Sequence, residues 1–222
     1  QLEELAGSMN GTGNSILAVH ADTVEILRGR MVDPLLALPP DRRPGYRLWI
    51  YTNFHCNLAC DYCCVRSSPT ADPRVLGADV IDQVVDEACA LGAHELYLTG
   101  GEPFLRYDLA DVVNACASKL ATTILTNGML FRGRRRDLLE AMPRSVALQI
   151  SLDSATTPIH DEHRGAGSWQ RAIDGIATAR ELGFRVRVAG TLTSTDIAEE
   201  RDLHALLDGL GIDRADQVLR RL

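Results

Sequence analysis

The 222-residue chain has no apolar run approaching the ~20 residues that cross a bilayer, so no membrane span is expected. Nothing near its start pairs a basic stretch with an apolar one, so no secretory signal is read and the cytoplasm is the expected compartment. Positive charge is also short. The net charge of −7 repels phosphate backbones, and with aromatics at 5% there is no basic, aromatic-studded face to favour RNA. The one basic run, "RGRRRD" at Arg132–Asp137, reads as a solvated helix face and is given no role. The "GTG" at Gly11–Gly13 lacks the Gly-Lys-Ser/Thr that completes a phosphate loop and reads as a turn.

Cysteine is scarce outside one place. Of six cysteines, four lie in "YTNFHCNLACDYCCVRSS", Tyr51–Ser68. Cys89 and Cys116 sit in helix-like segments among aliphatic neighbours, where a free thiol acts as a small hydrophobe, so both are expected in the core. A disulfide framework would scatter its cysteines and need an oxidising compartment. A zinc site would take two knuckles, or one knuckle and two histidines, and here its fourth ligand would be His55 or Cys64, each next to another ligand in sequence. Cys56, Cys60 and Cys63 in C-x3-C-x2-C can instead hold three corners of a four-iron, four-sulfur cube, leaving the fourth iron open. Spacing favours the cluster and leaves zinc in play.

The rest of the chain divides near Pro44. Residues 1–45 form a lead-in of unclear structure, with a short apolar run at Ile16–Val19 and the proline-punctuated loop "ALPPDRRPG". From residue 46 to residue 222, strand-like runs alternate with segments of helical period, the rhythm of βα units around a parallel sheet. Strands are expected from Tyr46, His94, Ala121, Val146 and Arg185, and helices near 76–91, 107–119, 134–141, 168–182 and 197–209. The final "DQVLRRL" reads as the opening of a sixth strand, so the chain is expected to be a piece of a longer protein. In "ALQISLD" one face carries Leu148, Ile150 and Leu152 and the other Gln149, Ser151 and Asp153. Such polar residues at the C-terminal end of a parallel strand lie where βα barrels keep their ligands, and "YTNFHC", "LTGGEP" and "LTNG" end three other strands.

Taken together these segments resemble the radical S-adenosylmethionine (SAM) enzymes. "CNLACDYC" is similar to that family's cysteine loop, with Tyr62 at its aromatic position. "TGGEP" at Thr99–Pro103, "TNG" at Thr126–Gly128 and "SLD" at Ser151–Asp153 resemble its motifs after the second, third and fourth strands. "HDEHRGAGSW", His160–Trp169, resembles the loop leading to the next helix. Alone, each reads as a turn or cap; in this order, at successive strand ends, they are specific.

The resemblance implies an α/β fold, a partial (β/α)6 TIM-like barrel of the radical SAM type cut within its sixth strand. It implies a [4Fe-4S] cluster on Cys56, Cys60 and Cys63, with SAM chelating the open iron and cleaved reductively to a 5′-deoxyadenosyl radical that takes hydrogen from a substrate. It places Gly100, Gly101 and Glu102 at the methionine amine, Ser151 and Asp153 at the ribose, Arg164 at the carboxylate and Tyr62 beside the adenine, with Pro103, Thr126 and Asn127 also among the SAM contacts. His55, His160 and His163 are expected to be neither bases nor ligands, and Cys64 to be a spectator. The motifs sit nearest the peptide and cofactor maturases (SPASM/twitch-like relatives), which implies a peptide or small-molecule substrate and a reductant such as flavodoxin or ferredoxin. In the fifth strand, "VAGTLT" puts Ala189 and Gly190 where many relatives carry Asn, so contacts from that strand do not carry over. A non-catalytic iron–sulfur or zinc protein of the same fold, and an RNA-modifying enzyme, are the alternatives.

Overall fold

In the computed structural model the described residues are 46–193 and 197–221, with the backbone of residues 17–18. The turn at Gly11–Gly13 and the proline loop up to Gly45 lie outside them. The chain runs β1 (Leu17–Ala18), β2 (Arg47–Tyr51), α1 (Ala78–Ala90), β3 (Glu95–Thr99), α2 (Leu109–Ala117), β4 (Ala121–Thr126), α3 (Arg134–Glu140), β5 (Ala147–Ser151), α4 (Thr157–Arg164), α5 (Ser168–Glu181), β6 (Arg185–Leu192), α6 (Ile197–Gly209) and β7 (Gln217–Arg221). Short 3-10 turns at Pro103–Leu105 and Arg214–Asp216 precede α2 and β7. All strands are parallel and lie in sequence order. Strands β2–β7 form a curled half-barrel, and the two residues of β1 pair with Leu48 and Trp49 at its edge.

The alternating pattern decides which face of the sheet meets the helices. Leu148, Ile150 and Leu152 are fully buried, as are Leu96, Leu98 and Val188. Against them pack Ala172, Ile176 and Ala179 of α5, spaced four and three apart on one helix face. Gly175 lies on that face because a Cβ there would stand 2.1 Å from the Gly128 carbonyl oxygen, so the helix backbone rests directly on the turn after β4. On the other face, near the N-terminal ends of the strands, the Trp49 and Tyr97 rings stack with centroids 4.5 Å apart. Arg187 Nη1 of β6 donates to the Tyr97 hydroxyl of β3 at 3.1 Å, a bond between strands separated by two others that the curl brings within reach. Arg185 forks onto Asp216 at 3.0 and 2.6 Å beside them. This layer fills the N-terminal part of the concave face and leaves chemistry to the C-terminal rim.

All six expected strands are present, as are the five expected helices. The segment read as a loop leading to the next helix is in part a helix, α4, with Pro158 in its first turn and His163 and Arg164 in its last. Its period was hidden because its only buried side chain is a histidine, His160.

Replacing Gly175 by Ala should therefore force α5 off the β4 turn and lower unfolding free energy by about 1–3 kcal/mol. Gly209→Ala, where a Cβ meets nothing within 4 Å, should leave it unchanged or slightly raised. Urea denaturation of the two variants measures the contrast, and equal stabilities would remove the close-approach argument.

Candidate functional site

The cysteines lie on a long excursion between β2 and α1 whose neck is tightly closed. Leu76 N–H donates to the Thr52 carbonyl at 2.9 Å, and Arg106 Nη1, buried, donates to the carbonyls of Thr52 at 2.9 Å and Leu76 at 2.7 Å. Asp108 grips the other edge of Arg106 at 3.0 and 2.8 Å. Within the excursion Cys63 N–H donates to the Cys60 carbonyl and Arg66 N–H to that of Cys63, with Arg66 in the left-handed region at φ 52°. Backbone amides point at two sulfurs, Leu58 N at Cys56 Sγ and Ser67 N at Cys63 Sγ, each 3.4 Å away. The six thiols are all free; Cys56 is buried, Cys60 and Cys63 are partly exposed and Cys64 is exposed. Burial raises the Tyr51 hydroxyl, and the neighbouring Cys64 thiol adds to the shift. Cys116 is buried in the core and Cys89 packs against it, as expected for small hydrophobes.

The GGEP segment is bonded onto the root of this loop. Gly101 N–H donates to the Asn53 carbonyl at 2.7 Å and Glu102 N–H to the His55 carbonyl at 2.9 Å. Asn53 Nδ2 returns bonds to the carbonyls of His55 at 2.8 Å and Glu102 at 3.1 Å. The approach is so close that a Cβ on Gly101 would stand 2.1 Å from the His55 oxygen, and one on Gly100, at φ +152°, 2.5 Å from that of Asn53. The carbonyls of Gly100 and Gly101 accept no hydrogen bond from a described residue.

Glu102 faces inward rather than toward a ligand. Its Oε1 accepts from Phe104 N at 3.0 Å and Thr126 Oγ1 at 2.7 Å, and its Oε2 from Asn127 N at 2.8 Å. Pro103 follows, buried, at the start of the 3-10 turn. Asn127 in turn reaches the cysteine loop, its Nδ2 donating to Asn57 Oδ1 at 2.9 Å. Tyr62, Asp153 and Arg164 also meet: the Tyr62 hydroxyl donates to Asp153 Oδ2, and Arg164 forks onto both Asp153 oxygens at 2.6 and 3.1 Å. The Arg164 guanidinium lies 5.5 Å from the Tyr62 ring centroid. Ser151 ends β5, partly exposed, its hydroxyl bonded to no described residue.

Charge follows burial here. Burial pushes the Cys56 thiol up to about 12 and raises Cys60 too, against the opposing Arg164 charge. Burial raises the Glu102 carboxyl, against its three hydrogen bonds. For Asp153 burial acts to raise the carboxyl, but the Arg164 guanidinium and the hydrogen bonds hold it below the ordinary carboxylate range. Burial, aided by Arg164, lowers His160 from 6.5 to about 4, so its ring is neutral and Nδ1 accepts the Asp153 N–H at 3.1 Å.

Asn53, Arg106 and His160 are structural keystones that their residue types did not announce. Asn53 lay in a strand end marked as polar, whereas a lone arginine after "GGEPFL" carries no pattern, and His160 was weighed only as a base or ligand. His163 pairs with Asp61 at 2.8 Å and so ties the cysteine loop to α4.

The arrangement fits an iron–sulfur cluster and SAM on its own chemistry. Three thiols share one loop, two of them already receiving backbone N–H groups. Ser67 Oγ is buried there without a partner, and the two glycine carbonyls form a ledge that a Cβ would block. Among the described residues no three His, Cys, Asp or Glu side chains converge as ligands of one metal ion would.

The family model described as the radical SAM superfamily matches residues 50–207. A GTP 3′,8-cyclase of Limosilactobacillus fermentum is 36% identical over 136 residues, 59% of this chain and 40% of that protein. The mycofactocin maturase MftC of Mycobacterium ulcerans is 31% identical over 160 residues, 71% of this chain and 43% of that protein. Streptococcus suis SuiB, solved bound to S-adenosylmethionine, superposes with a TM-score of 0.68 at 22% identity, covering 79% of this chain and 40% of its own. The chain thus spans less than half the length of these relatives.

The neutral, buried His160 makes stability depend on pH. Unfolded, it takes a proton near 6.5; folded, only near 4, so stability is present above 6.5 and is lost as pH falls through about 4. The full effect is on the order of 3 kcal/mol. Urea midpoints between pH 7 and 4.5 should fall less steeply for His160→Gln than for the unaltered chain; equal slopes would show that His160 is not the group responsible.

Proposed function

Because the chain belongs to the radical SAM superfamily, whose members use a [4Fe-4S] cluster and SAM, we propose that Cys56, Cys60 and Cys63 hold the cluster and that SAM binds beside it at the C-terminal rim. When bound, the pair supplies one-electron chemistry, reductive cleavage of the sulfonium and hydrogen abstraction from a substrate. The observation that carries this reading is the bonding of the GGEP segment onto the root of the cysteine loop by Asn53, Gly101, Glu102 and His55. It sets the carbonyls of Gly100 and Gly101, which accept no hydrogen bond from a described residue, at the root of the cysteine loop, an acceptor pair suited to an ammonium group beside a metal site.

Within this reading each residue has a task. Glu102, Pro103 and Thr126 hold the glycine ledge and the β4 turn in register, and Asn127 joins that turn to the loop. Ser151 offers its hydroxyl to the ribose, and Arg164 the N–H groups not engaged by Asp153 to the carboxylate. Tyr62 flanks the adenine. The layer of Trp49, Tyr97 and Arg187 lies below these residues on the concave face.

The substrate is proposed to be a peptide or cofactor precursor, with the electron coming from a flavodoxin- or ferredoxin-like donor. Support comes from the names of the relatives, a maturase and a GTP cyclase, and from SuiB, also solved bound to a precursor peptide. The net charge of −7 disfavours RNA.

Reconstituted with iron and sulfide and then reduced, the chain should release 5′-deoxyadenosine from SAM, and Cys60→Ala should release none. Product from the Cys60→Ala protein would overturn the ligand assignment. Cys64→Ser should load the cluster with undiminished visible absorbance; loss of that absorbance would return Cys64, and with it a four-thiol zinc site, to consideration.

A further inference from the structure

Asp153 stands where the resemblance puts a ribose acceptor, yet its carboxylate is already fully engaged. A carboxylate has about four acceptor positions. Oδ1 takes Arg164 Nη2 at 3.1 Å and the Thr191 backbone N–H at 2.9 Å. Oδ2 takes Arg164 Nε at 2.6 Å and the Tyr62 hydroxyl. Four donors fill four positions, and the side chain is 1% exposed. The backbone is held as firmly, with Asp153 N–H donating to His160 Nδ1 at 3.1 Å.

The donors come from three separate parts of the fold, the cysteine loop through Tyr62, β6 through Thr191 and α4 through Arg164, and α4 also supplies the His160 acceptor, all gathered at the end of β5. Arg164 is not used up by this. Of its five N–H groups, Nε–H and one on Nη2 go to Asp153, leaving both on Nη1 and the second on Nη2. The guanidinium lies over the ring of Tyr62, a residue of the cysteine loop, 5.5 Å from its centroid. Its remaining donors are thus held near the cysteine loop by a fork that fixes the plane of the guanidinium.

We infer that Asp153 is a positioning residue that makes no bond to SAM: it aligns the Arg164 fork and the Tyr62 ring, so that Arg164 receives the cofactor's carboxylate and Ser151 is left as the ribose acceptor of this strand. This rests on the SAM-binding reading above for its ligand, but not for its geometry. Removing the Asp153 charge frees the guanidinium to rotate, and carboxylate recognition is lost while ribose recognition stays.

Affinities are measured on the cluster-loaded chain for SAM, for decarboxylated SAM and for a SAM analogue lacking the ribose hydroxyls. The unaltered chain should prefer SAM to both analogues. Asp153→Asn should reduce the preference over decarboxylated SAM by about 10- to 100-fold, while keeping the preference over the deoxyribose analogue. Arg164→Gln should do the same, and the double variant should be no worse than Arg164→Gln within about twofold, since the two residues act as a unit. If Asp153→Asn instead abolishes ribose discrimination and retains carboxylate discrimination, Asp153 is a ribose acceptor and the inference falls.

A second measurement needs neither variant nor ligand. In the metal-free chain the Arg164 Nε–H should exchange slowly with solvent, because it is buried against a carboxylate. Rapid exchange would overturn the fork whatever the cofactor. A chain that shows a protected Nε–H yet binds no SAM would refute the functional reading and leave the Asp153–Arg164 geometry standing.

Discussion

The C-terminal rim depends on two backbones bonded directly to one another, with the Asn53 amide as the one side chain that bridges them. Asn53–His55 leave β2, Gly100–Glu102 leave β3, and each donates to the other's carbonyls. Strand pairing alone would end at Tyr51 and Thr99. The glycines carry the contact one turn further, past the point where the sheet splays. That extra contact puts the cysteine loop next to the carbonyl ledge, and it tolerates no Cβ at Gly101. The Glu102 carboxylate then passes the same constraint to the β4 turn, whose Asn127 returns it to the loop at Asn57. The result is a closed circuit of hydrogen bonds from β2 to β3 to β4 and back.

Such a circuit has a cost. Glu102 is buried as an acceptor for three donors, and Arg106 as a donor to two carbonyls, so each would leave several partners orphaned if truncated. Burying a charged group without partners is costly, and each is met by several of them. A rim built from charges that cannot move without breaking several bonds is rigid, and rigidity is what a site must have to hold two groups in fixed relation. The cysteine loop is then anchored at its neck by Arg106, at its root by Asn53 and along its far side by Tyr62 and His163. Between these anchors Cys56 is buried, while Cys60 and Cys63 stay partly exposed.

The fold was legible in the sequence because period-two and helical patterns are set by burial, and burial here is regular: "ALQISLD" and "RVRVAGTL" could only be strands with one apolar face. The order of motifs at strand ends was legible for the same reason. What stayed hidden was every contact whose meaning lies in a partner far along the chain. Arg106 is 54 residues from Thr52, and nothing local distinguishes it from a surface arginine. The α4 helix escaped because a histidine supplies its buried face, and a histidine reads as polar. The same residue was considered only as a base or a ligand, although burial keeps its ring neutral and lets it accept the Asp153 backbone N–H.

The departure in the fifth strand, Ala189 and Gly190 in place of a polar residue, also acquires a physical reason. Gly190 faces the helices, where a Cβ would meet the Leu152 carbonyl oxygen and Leu219 Cδ2, both at 2.8 Å, so β5, β6 and β7 pack too closely there for any side chain. Ala189, on the concave face two residues beyond Arg187, pairs in register with Ser151. The concave face therefore passes from Trp49, Tyr97 and Arg187 at its N-terminal end to a hydroxymethyl and a methyl near the rim. Bulk falls off where the polar loops begin. A large residue at 189 would therefore add bulk beside Ser151, where Ala189 has only a methyl.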